Sequence, residues 1–138
     1  MAKTFDLSFS GYWRERFLSD VPNNSGIYLV YTCKNIDQQT LSTIKLIYIG
    51  ESDKVRERIE KHEKKNQWKS KLLTGQELCF SFTSIENPDR ERAEAALIFK
   101  HKPECNDEYV DNFPFDQTTV SSKGRCEFIS PSFTVDKT

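Results

Sequence analysis

A carboxylate set among apolar residues is costly to bury without a positive partner, and Glu94 is so placed. On a helical wheel it lies between Ala93 and Leu97, one turn before Ile98. Two partners suit it: Arg90, four residues earlier on the same helix, or a metal ion. Arg58 poses the complementary question, three residues after Val55 and one before Ile59, with His62 one turn further on. Alone it reads as a solvated charge with its stem on apolar surface. Tyr28 and Tyr48 each sit in an apolar segment, and a single buried phenol needs only a hydrogen-bond partner. What sets these residues apart is their company. An Arg, a His, an acid and two phenols that one small sheet could gather are groups that hold anions, bind cations and exchange protons.

The elements that would position them can be read from periodicity. Gly26 to Cys33, GIYLVYTC, is β-branched and aromatic on both faces, as expected of a strand covered on both sides. Ile44 to Gly50, IKLIYIG, has the same composition, and the polar stretch KNIDQQTLST between them predicts an antiparallel pair. From Asp53 the period lengthens, with Val55, Ile59 and His62 on one helical face and Ser52 or Asp53 as N-cap. Trp68, Leu72 and Leu73 suggest a second short helix closed by Gly75, and alternation at Leu78, Phe80 and Phe82 a third strand. Asn87 followed by Pro88 predicts the start of a helix that runs to about His101 and is stopped by Pro103. Trp13, Phe17 and Val21 suggest a short helix over 12–21. The expected organisation is a helical extension at 1–25, a domain at 26–106, and a tail at 107–138 that packs on the domain through its Phe residues.

Composition bounds the rest. The 138 residues suit one domain, and 10 Phe, 5 Tyr and 2 Trp are too many for a disordered chain although 30% of residues are charged. No apolar stretch is long enough to cross a bilayer, and MAKTFDLSFSGYW, with acidic, polar and aromatic residues in alternation, lacks the apolar block of a secretory signal; a cytoplasmic protein is expected. Cys33, Cys79, Cys105 and Cys126 are spread singly, without the paired spacing of zinc or redox sites, so reduced thiols are expected. The formal net charge is −1, but eight basic residues face four acids between Asp53 and Leu72. A polyanion would therefore meet Lys54, Lys61, Lys64, Lys65 and Lys69 first.

Gly26-Ile27-Tyr28 and Tyr48-Ile49-Gly50 are the tripeptides that name the GIY-YIG nuclease family, and the resemblance continues beyond them. Arg58 stands ten residues after Tyr48, where that family carries its essential Arg, and His62 matches a position often held by His or Tyr. The run Glu94 to Asn106, EAALIFKHKPECN, resembles the family's closing motif. The five elements fall in order across residues 26–106.

The resemblance implies an α/β (α+β) domain with a small three-stranded antiparallel sheet flanked by helices, cutting DNA phosphodiesters with one divalent ion, magnesium or manganese. Carried over, Glu94 holds the metal, Arg58 stabilises charge on the phosphoryl group, and Tyr28 and Tyr48 surround the attacking water, one as general base. His62 assists and Asn106 orders the site. A single carboxylate leaves magnesium its waters and open positions, and an Arg fork meets phosphoryl oxygens as Lys cannot. Two departures stand out. Tyr28 and Tyr48 are widely spaced, predicting an inserted loop at 34–43, and Glu51 follows Gly50, where an acid would repel phosphate. The expected activity is that of a metal-dependent DNA endonuclease, of which a restriction-type enzyme is one form. The alternative is a nuclease-fold module that binds nucleic acid or a protein without cutting. No separate DNA-binding module is visible, so site selection would come from the domain itself, a homo-oligomer or a partner protein.

Overall fold

The apolar runs of the sequence form a sheet, and its size is the first difference from expectation. The computed structural model describes residues 1–37 and 40–138. Its elements are β1 (Lys3–Arg14), a 3-10 turn (Glu15–Asp20), β2 (Gly26–Asn35), β3 (Leu41–Ser52), α1 (Val55–Glu60), α2 (Lys65–Lys69), β4 (Gln76–Ser84), α3 (Asp89–His101), β5 (Thr118–Gly124) and β6 (Ser132–Val135). The three expected strands are neighbours and antiparallel, in the order β3-β2-β4. The sheet then continues through β1, β5 and β6, so it has six strands rather than three among the described residues. The mixed α and β class holds. No helix among the described residues is long and apolar enough to cross a membrane.

The added strands have physical reasons. In β1, Phe5, Leu7 and Phe9 are buried while Thr4, Asp6 and Ser8 are exposed, the period of a strand covered on one face. The chain stays extended to Arg14, and only Glu15–Asp20 coils, as a 3-10 turn, where a helix over 12–21 is suggested by Trp13 and Phe17. β1 pairs antiparallel with β4 and parallel with β5. The segment from 107 onward thus supplies β5 and β6 to the same sheet. The tip expected at 34–43 is shorter in the structure, because β2 reaches Asn35 and β3 begins at Leu41; residues 38–39 lie outside the described residues.

β2 divides the interior in two. Ile27, Leu29, Tyr31 and Cys33 pack with Ala93, Ala96 and Leu97 of α3, whereas Tyr28 and Val30 pack with Val55, Ile59 and Trp68 of the α1 and α2 side. The alternation places α1 and α3 on opposite faces. Both are brought close to the edge strand β3, which is where a cleft opens. Ile59 and Trp68 are fully buried, and each such side chain contributes about 1.5–3 kcal/mol of transfer free energy.

Helix ends also differ from the sequence reading. α1 begins after Lys54, with no cap from its own side chain; instead Asn24 O accepts the Val55 N–H and Asn23 Oδ1 accepts the Glu57 N–H at 3.1 Å. The turn before β2 thus serves the free donors that Ser52 or Asp53 is expected to meet. α1 ends at Glu60, so His62 lies in the following turn. α3 starts at Asp89, with Pro88 rather than Asn87 at the N-cap and no side-chain cap bond.

Candidate active site

The two tyrosines are set by strand register and by two glycines. Tyr28 faces Gly50 across β2 and β3, and Val30 faces Tyr48. A Cβ on Gly50 would lie 2.3 Å from the Tyr28 hydroxyl, so the phenol rests in space that only glycine leaves open. A Cβ on Gly26 would lie 2.2 Å from the Thr83 carbonyl, so the close packing of β2 on β4 needs glycine there too. These contacts are a steric reason for a glycine at each end of the paired tripeptides. The two rings are 6.2 Å apart. Burial raises the Tyr28 hydroxyl pKa well above the ordinary phenol range, with the Tyr48 charge adding to it. The Tyr48 hydroxyl is pushed up to about 12, first by burial and then by the Glu94 charge, with Arg58 opposing.

Asn106 holds the strand that carries Tyr48. Its Oδ1 accepts the Ile49 N–H at 3.0 Å and its Nδ2 donates to the Ile49 carbonyl at 2.9 Å, while the Cys105 N–H donates to the Ile47 carbonyl. The chain after α3 thereby lies along the outer edge of β3.

Arg58 projects from α1 into the cleft and makes a two-pronged pair with Glu63, at 2.7 Å and 2.9 Å. That hydrogen bonding pulls the Glu63 carboxyl down to about 2. His62 lies beneath, its ring 4.4 Å from Trp68, 5.1 Å from Tyr48 and 6.4 Å from Tyr28. Burial, reinforced by Arg58, lowers its pKa to about 4, so the ring is neutral at pH 7. Its Nδ1 accepts the Lys64 N–H at 3.0 Å, which puts the proton on Nε2. Nε2 is buried and has no hydrogen-bond partner.

Glu94 comes from α3 on the other side of the cleft. The helical pair expected with Arg90 does not form: Arg90 turns to Glu51 and to Ser25 Oγ at 2.7 Å. The same contact gives Glu51, expected to repel a phosphate, a cationic partner. Glu94 has no hydrogen-bond or ion-pair partner among the described residues. Burial, then the charges of Glu51, Glu108 and Glu91, push its carboxyl up to about 9. An oxygen donor without a protein cation beside it fits a hard divalent ion. Among the described residues no three His, Cys, Asp or Glu side chains are grouped to share an ion, so one held by Glu94 would keep most of its water ligands.

Tyr28, Tyr48, Arg58, Glu94 and Asn106 all line one cleft of about 420 Å³. His62 is absent from its lining and supports it from below. Six acids and two bases line the cleft, an excess that the middle-of-chain charge does not suggest. Of the lysines expected to meet a polyanion, only Lys64 reaches it, paired there with Asp107. Lys54 lies 3.9 Å from Glu57, while Lys65 and Lys69 both approach Glu15. Lys61 is exposed and has no ion pair among the described residues. Tyr109, whose hydroxyl donates to Glu91 at 2.9 Å, is a cleft residue that sequence reasoning misses, because it lies beyond the closing Asn106.

The chain is similar to the UvrABC system protein C of Fervidobacterium nodosum, with 26% identity over 129 residues that cover 84% of this chain and 21% of that protein. It therefore spans about a fifth of the length of the curated relative it matches. No protein-family model matches the chain. No solved structure matches it either.

Proposed function

We propose that this chain is a metal-dependent endonuclease that hydrolyses DNA phosphodiester bonds. One observation carries the reading: side chains 78 residues apart in sequence, Tyr28 to Asn106, converge with Tyr48, Arg58 and Glu94 on one cleft, where Glu94 has no hydrogen-bond or ion-pair partner among the described residues. The likeness to a UvrABC system protein C accords with a nuclease-type module. Glu94 would hold one divalent ion, magnesium or manganese, which when bound supplies a Lewis acid for phosphoryl oxygens and the leaving oxygen. To hold that ion Glu94 would give up its proton to solvent, and the ion's positive charge would offset the carboxylate charge that otherwise raises the Tyr48 pKa. Tyr48 is the general base in this reading, since its hydroxyl is half-buried where Tyr28 is fully buried and harder to ionise. Arg58 would present its planar fork to the two non-bridging oxygens as negative charge develops there. His62 holds a neutral Nε2–H under the tyrosines, and Asn106 keeps Tyr48 in register.

A second reading has its own observation. Both cations of the cleft are already paired and acids outnumber them, as suits a nuclease-fold module that binds without cutting. Digestion of branched, single-stranded and duplex DNA across a magnesium and manganese titration separates the two. Cleavage that needs the metal and is lost on Glu94→Ala supports the enzyme. Binding without cleavage under every condition supports the module, and a fully active Glu94→Ala protein overturns the proposed mechanism.

A further inference from the structure

The two cations lining the cleft, Arg58 and Lys64, are each held by an acid of the same cleft. Glu63 offers two carboxylate oxygens to the two Nη atoms of Arg58, at 2.7 Å and 2.9 Å. Lys64 Nζ is fixed by the Cys105 carbonyl at 3.0 Å and pairs with Asp107. The two acids are solvent-facing, with side chains 66% and 81% exposed, while Arg58 and Lys64 are 37% and 22% exposed. Exposed pairs contribute little to folding, because water solvates the separated partners nearly as well. Their shape is more informative. A planar carboxylate places two oxygens on an Arg fork just as a phosphodiester places its two non-bridging oxygens.

We propose that Glu63 and Asp107 stand in for two phosphates of a nucleic-acid strand, filling the anion subsites at Arg58 and Lys64 until a strand displaces them. The proposal deepens the nuclease reading and rests on it for the class of ligand. Each phosphate that enters exchanges one ion pair for another, so a single phosphate gains little. A strand that reaches both subsites gains twice and brings the backbone across the tyrosines between α1 and α3. The internal acids thus select for polymers over the abundant small phosphates, since a second contact on the same molecule acts at high effective concentration. They also keep the fork of Arg58 in the orientation a phosphodiester needs.

Binding of a fluorescein-labelled 20-nucleotide DNA strand, followed by anisotropy in EDTA, tests this without any cleavage. Glu63→Gln and Asp107→Asn are each expected to tighten binding about threefold to tenfold, the range set by the worth of an exposed pair and the removed charge. Their effects should multiply, because the two pairs share no partner. Glu60→Gln, which removes the same charge at an exposed position outside the cleft, should change affinity far less. The gain from Glu63→Gln should also vanish in an Arg58→Ala background. Gains no larger than that of Glu60→Gln, gains that survive Arg58→Ala, or no measurable binding by any form would each overturn the proposal. A separate digest in magnesium keeps the readings distinct: proteins that bind as expected but never cut would sink the nuclease and leave the two subsites standing.

Discussion

The molecule has two histidines, and they sit in regions that treat polar groups differently. His101, at the end of α3, donates from Nδ1 to the Leu97 carbonyl at 2.9 Å and accepts the Ser130 N–H on Nε2 at 2.9 Å. Both ring nitrogens are used, Nδ1 within α3 and Nε2 in holding the segment before β6 to that helix. Nearby, Arg92 donates to Thr118 Oγ1 and to the carbonyls of Met1, Asp116 and Gln117. His62 has one nitrogen bonded and the other buried without a partner, and Glu94, two residues from Arg92, has no hydrogen-bond or ion-pair partner among the described residues. An unmet polar group inside a protein costs free energy; the far half leaves a small hydroxyl, Ser122 Oγ, unpaired, whereas the cleft leaves a carboxyl group and an imidazole N–H unpaired among the described residues, a larger cost that folding alone does not explain.

The sharpest way to break this contrast is to remove one residue from each region. Under the proposed nuclease mechanism, Glu94→Gln should lower the single-turnover cleavage rate about a thousandfold or more, as loss of the proposed metal ligand would. It should also stabilise the fold: the folded pKa of about 9 lies above the unfolded carboxylate value, so Glu94 costs stability from roughly pH 4.5 upward, increasingly until about pH 9. Arg92→Ala should do the reverse, lowering stability by about 2–3 kcal/mol and leaving the chemical step intact. Denaturant melts and single-turnover rates on the same variants check both. Next in size, Arg58→Lys should slow the chemical step about a hundredfold to a thousandfold, because charge survives but the fork does not. Equal rates would leave Arg58 a helix-surface charge.

Protonation tests the same contrast more gently. Because Glu94 holds a proton to about pH 9, the magnesium concentration giving half-maximal rate should fall by about tenfold per pH unit between pH 7 and 9. A flat response would mean that Glu94 is not the ligand. For His62 the sign runs the other way. Its folded pKa of about 4 lies below the unfolded value, so the neutral ring's stability is present above about pH 6.5 and is lost as pH falls towards 4. His62→Gln should therefore remove about 2 kcal/mol of the stability lost between pH 7 and pH 5. Smallest is the effect at the protein's outer surface. Lys61→Ala should lower the slope of log affinity for DNA against log salt by up to about 0.9, whereas Lys65→Ala, whose cation already faces Glu15, should lower it less. Equal slopes for the two would show that the exposed lysines do not meet the strand.

Much of the fold near the cleft is legible in the chain itself. The strands at 26–35, 41–52 and 76–84 carry β-branched and aromatic residues, and Pro103 marks the end of α3, whereas β3 runs past Gly50 to Ser52. The strand at 3–14 carries an equally plain alternation at Phe5, Leu7 and Phe9, which is visible in the sequence but loses its force where Trp13 and Phe17 fall at helical spacing. β5 is hardest to read, since TTVSSKG has one large apolar residue and becomes a strand by parallel pairing with β1, a contact made across more than a hundred positions. Within the cleft, residue types and spacing point to Tyr28, Tyr48, Arg58, Glu94 and Asn106. They do not disclose who is paired with whom. Glu63 follows Arg58 by five residues, past the end of α1, a separation that no helical rule joins, and Asp107 reaches Lys64 from 43 residues away. Arg90 is the clearest lesson: the local partner, Glu94, loses to Glu51 and Ser25, which only the folded sheet brings within reach.

The bonding of Asn106 and Cys105 along β3 also bears on self-association. An edge strand with free N–H and C=O groups is a template on which another molecule's strand can add. Both outward groups of Ile49 and the carbonyl of Ile47 are occupied by the chain's own residues, so this edge is a poor template for a neighbour where Tyr48 sits. The opposite edge is β6, only four residues long, which offers a short template at most. Asn106→Ala would uncover the β3 edge and loosen the tyrosine strand in one step, so loss of activity and a tendency to aggregate would arrive together. A screen for soluble variants of this protein would then, without being asked to, retain the residue that keeps its candidate site in register.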